Sequence, residues 1–470
     1  MQITRSSLLS GACCAFLFAV FAQPGAAATL CVNPAGSDGC YSTIQAAVNH
    51  AAANDVINVA GGTYEEDVVI GIPLALISAG DDKSVIDATG LPNGIFVDGL
   101  DHPGLHSVTI AGFKVQNALY EAVLVVSAAD VTIRDSSFLN NDKFGPVFNP
   151  AAANCVGQPA FETDESGDCG GAVHLIGTVN SIVSGNLMTG NADGILISDE
   201  TAESRGNLVV HNTVKNNPLD CGIVLASHAP VGSTGPFFAT HYGVDNNTVA
   251  ENLSADNGVQ VGGAGVGLFS DGNGPGRVSG NVIIHNTLTG NGIGGVSLHT
   301  HVGPAFSAPA DDMSGNMIIG NAISKNLADS ADTATPGRVG ININSGGGGS
   351  PVVGTVITQN EIWDEDVDIA INTPAQVDIH LNDLRGGNIG VANVCAFDHA
   401  SCAGTINATQ NYWGCAAGPG RYGCTTTSGS SILVAPWLWQ AIADDGGKQN
   451  HLFTAGLEQS IAPDSGKQNQ

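Results

Sequence analysis

Positive charge is scarce in this chain: 14 Lys and Arg stand against 43 Asp and Glu in 470 residues, a formal net charge of −29. A nucleic-acid backbone is bound by a basic face, so this balance argues against nucleic acid as a partner. It fits an extracellular protein kept soluble by self-repulsion. Such a protein meets an acidic polysaccharide only through a bridging cation or a local basic patch. Aromatic residues are few, at 5%, and charged residues make up only 12%. No stretch beyond the first residues is long and apolar enough to span a bilayer, so no membrane anchor is expected. There is no Cys-x-x-Cys pair, which leaves a zinc site without its usual spacing.

Glycine is abundant, 63 residues, and asparagine is paced. Asn186 and Asn191 are followed by Asn207, Asn212 and Asn217, by Asn247, Asn252 and Asn257, by Asn281, Asn286 and Asn291, and by Asn316, Asn321 and Asn326. Short apolar runs such as Leu208-Val209-Val210 and Val282-Ile283-Ile284 sit between them. After most sets comes a Gly that opens an alternating segment, at Gly194, Gly222, Gly265, Gly295 and Gly340. Repetition of this kind denotes a solenoid. Two short strands of period two with Asn at the corner describe one coil of a parallel β-helix. Asn suits a corner because it tolerates left-handed backbone and bonds nearby main chain, and stacked copies can bond one another. The Gly anchors lie 28, 43, 30 and 45 residues apart, which predicts long loops on alternate coils.

The ends read differently. Residues 1–28 are a signal peptide in this reading, with Arg5, an apolar stretch from Leu8 to Ala22, and Ala26-Ala27-Ala28 as a small-residue cleavage site. A secreted or periplasmic protein follows from it. Nine cysteines remain, and four local pairings are expected in an oxidising compartment: Cys31 with Cys40, Cys155 with Cys169, Cys395 with Cys402, and Cys415 with Cys424. Cys221 is left over as a buried thiol. The β-helix is expected over 29–440, with an N-cap at 29–60, regular coils over about 180–390 and a closing segment at 391–440. Residues 441–470 read as a polar tail. Thr43 to Ala53 is a predicted helix, with Ile44, Ala47 and Val48 on one side, that covers the open end of the first coil. A monomer is expected.

Two stretches carry a resemblance. Tyr41 to Val48, Asp55-Val56-Ile57-Asn58-Val59 and Gly62-Thr63-Tyr64 resemble the opening of secreted right-handed parallel β-helix proteins of the pectin lyase-like superfamily. Asn411-Tyr412-Trp413-Gly414, Gly418-Pro419 and Ala435-Pro436-Trp437-Leu438 resemble the closing segment common in bacterial members. The resemblance covers roughly residues 31–440 and implies an all-β, single-stranded right-handed parallel β-helix. That fold hosts lyases, hydrolases and epimerases as well as proteins without chemistry. The Gly-His-Gly and Arg-Ile-Lys elements of polygalacturonases and the Asp-Pro-His element of alginate epimerases are missing, so the fold alone carries over.

One column of the repeat carries titratable groups. Six residues after successive Gly anchors stand Glu200, His228, Asp271 and His301, and His299 shares a strand with His301. Coils rise about 4.8 Å, so these groups stack into a ladder. Carboxylate beside imidazole is the equipment for abstracting the proton alpha to a uronate carboxyl, and the five residues are the catalytic candidates. A solvated polar strand end is the plain alternative. Arg205, Arg277 and Arg338 recur ahead of coils and suit a uronate carboxylate, or a salt bridge to the abundant acids. Asp364, Asp366 and Asp368 are the candidate ligands for calcium, the cofactor the acidic loops suggest. The expected function is binding of an extracellular acidic polysaccharide, with lyase or epimerase chemistry; the alternative is a non-catalytic surface or adhesion module.

Overall fold

The structure is a computed structural model that describes residues 27–80, 83–142, 170–228, 242–270, 276–300, 311–329, 335–344, 352–372, 376–385, 387–394 and 405–442. Its strands fall into three long sheets of 14, 11 and 12 strands and a short one of three, and every paired strand runs parallel to its neighbour. Each coil visits the long sheets in turn. The first complete coil runs Asp55–Val59, Gly62–Tyr64, Val68–Ile70, and the pattern then repeats along the axis. A coil therefore carries three strands rather than two, because the Gly-led segments form a third sheet of their own.

The interior is built by stacking like on like. In the first sheet Ile57, Leu76, Ile110, Ile133, Val183, Val209, Val249, Ile283, Ile318 and Ile357 follow one another from coil to coil, and all are fully buried. Burying one such side chain contributes about 1.5–3 kcal/mol. Thr109 and Thr132 stand in register on neighbouring coils. The helix spans Ile44–His50, three residues shorter than the expected end, and buries Ile44, Ala47 and Val48. Thr43 caps it by accepting from Ala46 N–H, and the Glu66 carboxylate takes the N–H groups of Ile44 and Gln45.

The asparagines bond their stacked copies as expected, but the ladder Asn does not itself take the left-handed corner. The left-handed corner residue is the one before each ladder Asn: His211, Glu251, His285, Gln359, Leu381 and Gln410 have φ of 55–59°. The ladder Asn turns its amide along the axis instead. Asn186, Asn212, Asn252, Asn286, Asn321, Asn360, Asn382 and Asn411 form one unbroken column, each Nδ2 donating to the next Oδ1 at 2.9–3.0 Å. The same Nδ2 also donates to a carbonyl of the coil before, as Asn212 does to Val183 and Asn252 to Val209. A second column runs through Asn191, Asn217, Asn257, Asn291 and Asn326 and ends on Glu365, whose Oε1 accepts both donors of Asn326. A third joins Asn207, Asn247, Asn281 and Asn316. These amides are buried and satisfied, which is what makes them affordable inside the fold.

The Cys31–Cys40 and Cys415–Cys424 bridges are present, with Cα–Cα separations of 4.7 and 5.2 Å. Cys155, Cys169, Cys395 and Cys402 lie outside the described residues, as do the signal peptide up to residue 26 and the tail beyond 442. Cys221 is a buried free thiol. No helix among the described residues is long and apolar enough to cross a membrane.

Candidate functional site

The third sheet supplies the site. Its strands alternate strictly, so Ile195 and Ile197 enter the core while Leu196 and Ser198 face outward. Register carries this from coil to coil: His174 pairs with Leu196, and Ser198 with Ala226. Glu200 and His228 stand equally far from Gly194 and Gly222 and meet on neighbouring coils.

His228 Nδ1 lies 2.8 Å from Glu200 Oε1, with both side chains buried. The other carboxylate oxygen, Oε2, accepts from Ser198 Oγ at 2.5 Å. The hydroxyl's one proton is thereby committed, so the contact of 2.8 Å between Ser198 Oγ and His174 Nε2 has the imidazole as donor. His174 Nδ1 in turn stands 3.7 Å from Glu121 Oε1. A chain of five buried polar groups thus runs Glu121–His174–Ser198–Glu200–His228. Burial opposes the charge on Glu200, but the His228 imidazole beside it, with His174 and the Ser198 hydroxyl, holds its carboxyl down to about 2. Glu200 is therefore a carboxylate that accepts from His228 Nδ1–H and fixes the ring.

Asp199 has a different task. Its Oδ1 accepts from His228 N–H at 2.7 Å, and its Oδ2 from Gly243 N–H at 2.5 Å and Ser227 Oγ at 3.1 Å. It thereby ties Ser227 and His228 to Gly243. Burial pushes its carboxyl up to about 7, with the Glu200 charge adding to the effect and the two N–H donors opposing it. Further along the axis Asp311 joins two neighbouring coils, accepting from Gly276 N–H at 2.8 Å and from the Thr300 hydroxyl.

His299 stands apart from this chain. It shares a register position with Phe269 and not with His228, so the strand Val266–Ser270 lies between the two histidines. Its ring packs on Phe269 at 4.3 Å between centroids, and Nδ1 meets Ser297 Oγ at 3.1 Å. Asp271 and His301 lie outside the described residues. The three candidate arginines are all ion-paired: Arg205 with Glu203, Arg277 with Asp245 and Glu203, Arg338 with Asp366. Arg277 is the one joined to the site, its backbone N–H donating to the Ser227 hydroxyl that bonds Asp199.

The candidate calcium ligands do not gather. Asp366 faces Arg338, Asp364 occupies a left-handed corner with φ of 57°, and Asp368 is buried within a strand of the third sheet. Among the described residues no three His, Cys, Asp or Glu side chains are placed to hold a metal ion. That includes the acidic corner of Asp142, Asp193 and Asp220, where burial and then the neighbouring charges of Asp220 and Asp142 push the Asp193 carboxyl well above its ordinary range. Ser198, His174 and Glu121 were not picked out from the repeat. The 143–169 stretch breaks the spacing between Glu121 and His174, and Ser198 is an ordinary strand residue until its register is known.

A family model described as a right handed beta helix region matches residues 92–235. The catalytic domain of an α-1,3-glucanase in complex with tetrasaccharides superposes with a TM-score of 0.51 at 12% identity, covering 82% of this chain and 65% of that one. The mannuronan C-5 epimerase A-module of Azotobacter vinelandii gives 0.45 at 13%, covering 85% and 95%. An alginate lyase from Paenibacillus sp. gives 0.44 at 14%, covering 72% and 95%. No curated protein matches in sequence. At these identities the likeness is one of fold. The chain is a right-handed parallel β-helix.

Proposed function

We propose that this protein binds an extracellular acidic polysaccharide along the outer side of its third sheet and abstracts a proton from it with His228. The observation that carries the reading is the buried Glu200–His228 pair, an imidazole held in one tautomer by a carboxylate that stays ionised down to about pH 2. A base so held takes the proton alpha to a uronate carboxyl, and Glu200 stabilises the imidazolium that forms. In elimination the C–H electrons form the new double bond, the glycosidic C–O bond breaks, and the leaving oxygen takes up a proton. In epimerisation the carbanion is reprotonated on its opposite face. Asp199, which releases its proton only near pH 7, is the adjacent acid. Support from known proteins is coarse, since the similar folds belong to carbohydrate-acting proteins: a glucanase, an epimerase and lyases.

A second reading has its own observation. His228 is only 5% exposed and Glu200 fully buried, which also suits a packed polar core in a non-catalytic binding module. Incubation with alginate, polygalacturonate and glycosaminoglycans, with and without calcium, separates the two. The enzyme reading expects ultraviolet absorbance from unsaturated uronate or an epimerised proton spectrum, lowered about 10²–10⁴-fold in His228→Ala and Glu200→Gln. A His228→Ala protein that folds and keeps full turnover contradicts it.

A further inference from the structure

Exposed apolar side chains gather at the last coil, far from the Glu200–His228 pair. Tyr422 is 95% exposed, Trp439 71% and Leu433 53%, in a chain poor in aromatics. The Cys415–Cys424 bridge closes a loop whose tip carries Arg421 and Tyr422. Trp437 lies on that loop: its Nε1 donates to the Ala416 carbonyl at 3.4 Å, and a side chain at Gly418 would collide with its ring. Leu438 forms a bridge with Tyr412, and Trp439 follows it exposed. The cross-linked loop thus carries a guanidinium and a phenol at its tip and the Trp437 indole against its side, with the exposed Trp439 two residues further on.

Charge singles out the same place. Arg421 is the only charged residue between Thr405 and Ile442, in a chain with 43 acidic groups. Arg134, Arg205, Arg277, Arg338 and Arg385 are each paired with a carboxylate. Arg421 is exposed and has no such partner among the described residues. Here an anionic polymer meets an exposed cation with the exposed Tyr422 beside it in the chain. Arg with Trp and Tyr is also the residue set that dominates binding hot spots.

We propose that this end of the solenoid is a binding platform for a uronate-bearing glycan chain. Arg421 pairs with a sugar carboxylate, and Trp439 and Tyr422 stack on sugar ring faces. The proposal rests on the reading of the ligand as an acidic polysaccharide and adds a second place of attachment for it. Along the first sheet seven steps separate Leu208–Val210, on the coil of the His228 site, from Ile432–Leu433, about 34 Å at about 4.8 Å per coil. A polymer lying along the axis reaches both places and gains avidity that a short oligomer does not.

The test uses the full chain with polygalacturonate and alginate at low salt, read by affinity electrophoresis and tryptophan fluorescence. Trp439→Ala and Arg421→Gln are each expected to weaken polymer binding roughly tenfold. Turnover of a trimer, where present, stays unchanged in both, whereas His228→Ala abolishes it. Polymer binding lost in the platform variants supports the proposal even if no turnover is ever seen, which would sink the catalytic reading alone. Wild-type polymer binding in both variants overturns the platform and leaves the His228 assignment standing. A wild-type dimer that Trp439→Ala makes monomeric, or a Trp439 that responds to polymer only after truncation beyond Ile442, also overturns it, because a second copy or the chain's own tail then occupies the face.

Discussion

His228 takes its orientation from Glu200, and Glu200 takes its second hydrogen bond from a serine whose hydroxyl is itself held by His174. The consequence is directional. Replacing Ser198 by Ala removes one donor from a buried carboxylate, at a cost of about 1–3 kcal/mol in stability. It also raises the Glu200 carboxyl from its depressed position. A depressed folded pKa gives stability that is full above the ordinary carboxylate range and is lost as pH falls through about 2. Ser198→Ala is therefore expected to unfold at a higher pH in acid titration than the wild type, with circular dichroism as the readout. Much of this was open to inspection in the sequence: Glu200 and His228 stand at equal distances from Gly194 and Gly222, and equal spacing in a solenoid means neighbouring coils. Ser198 and His174 were not, because a hydroxyl's partner depends on which strand lies beside it, and 143–169 interrupts the count that would have told.

Single elements of this fold are weak alone, and the columns hold them together. Asn252 accepts from both donors of Asn212 and donates to Val209 O and Asn286 Oδ1. Asn252→Ala leaves several buried groups without partners and is expected to cost on the order of 3–5 kcal/mol, comparable to Ile283→Ala in the core. Urea titration measures it, and a loss below 1 kcal/mol would show the columns to be incidental. Glu365 offers the opposite change. It stands where the column asks for Asn, directly after the left-handed Asp364, as Asn217 follows Asn216 and Asn257 follows Asp256. Burial, only partly offset by the Asn326 donors, pushes its carboxyl from 4.5 up to about 7. A raised folded pKa means the folded state keeps a proton the unfolded chain has released, so stability falls as pH climbs from about 4.5 to about 7. Glu365→Asn is expected to raise Tm by about 2–4 °C at pH 8 and to leave it unchanged at pH 4. The asparagine rhythm announced such columns, but not their geometry. Asn was the reasonable choice for the left-handed corner on propensity alone, and only the stacked amides show that its neighbour takes that role.

At the scale of the whole molecule the sequence declared the solenoid through its repeats, its N-terminal helix and its closing motif, and left the third strand of each coil to be found. Net charge frames what the surface can do. With −29 on the chain, an anionic polymer has one stretch, 405–442, without an acidic residue to approach and one buried acid–base pair at which to react. The central claim is that His228 takes a proton from carbon. It is tested most directly by incubating wild type and His228→Ala with uronate polymers in heavy water and following the sugar proton alpha to the carboxyl by NMR. Abstraction predicts that wild type produces either deuterium at that carbon or an unsaturated end, and that His228→Ala produces neither. Polymers that return fully protonated and unbroken from the wild-type protein, while still bound by it, would contradict the catalytic account and leave a binding module.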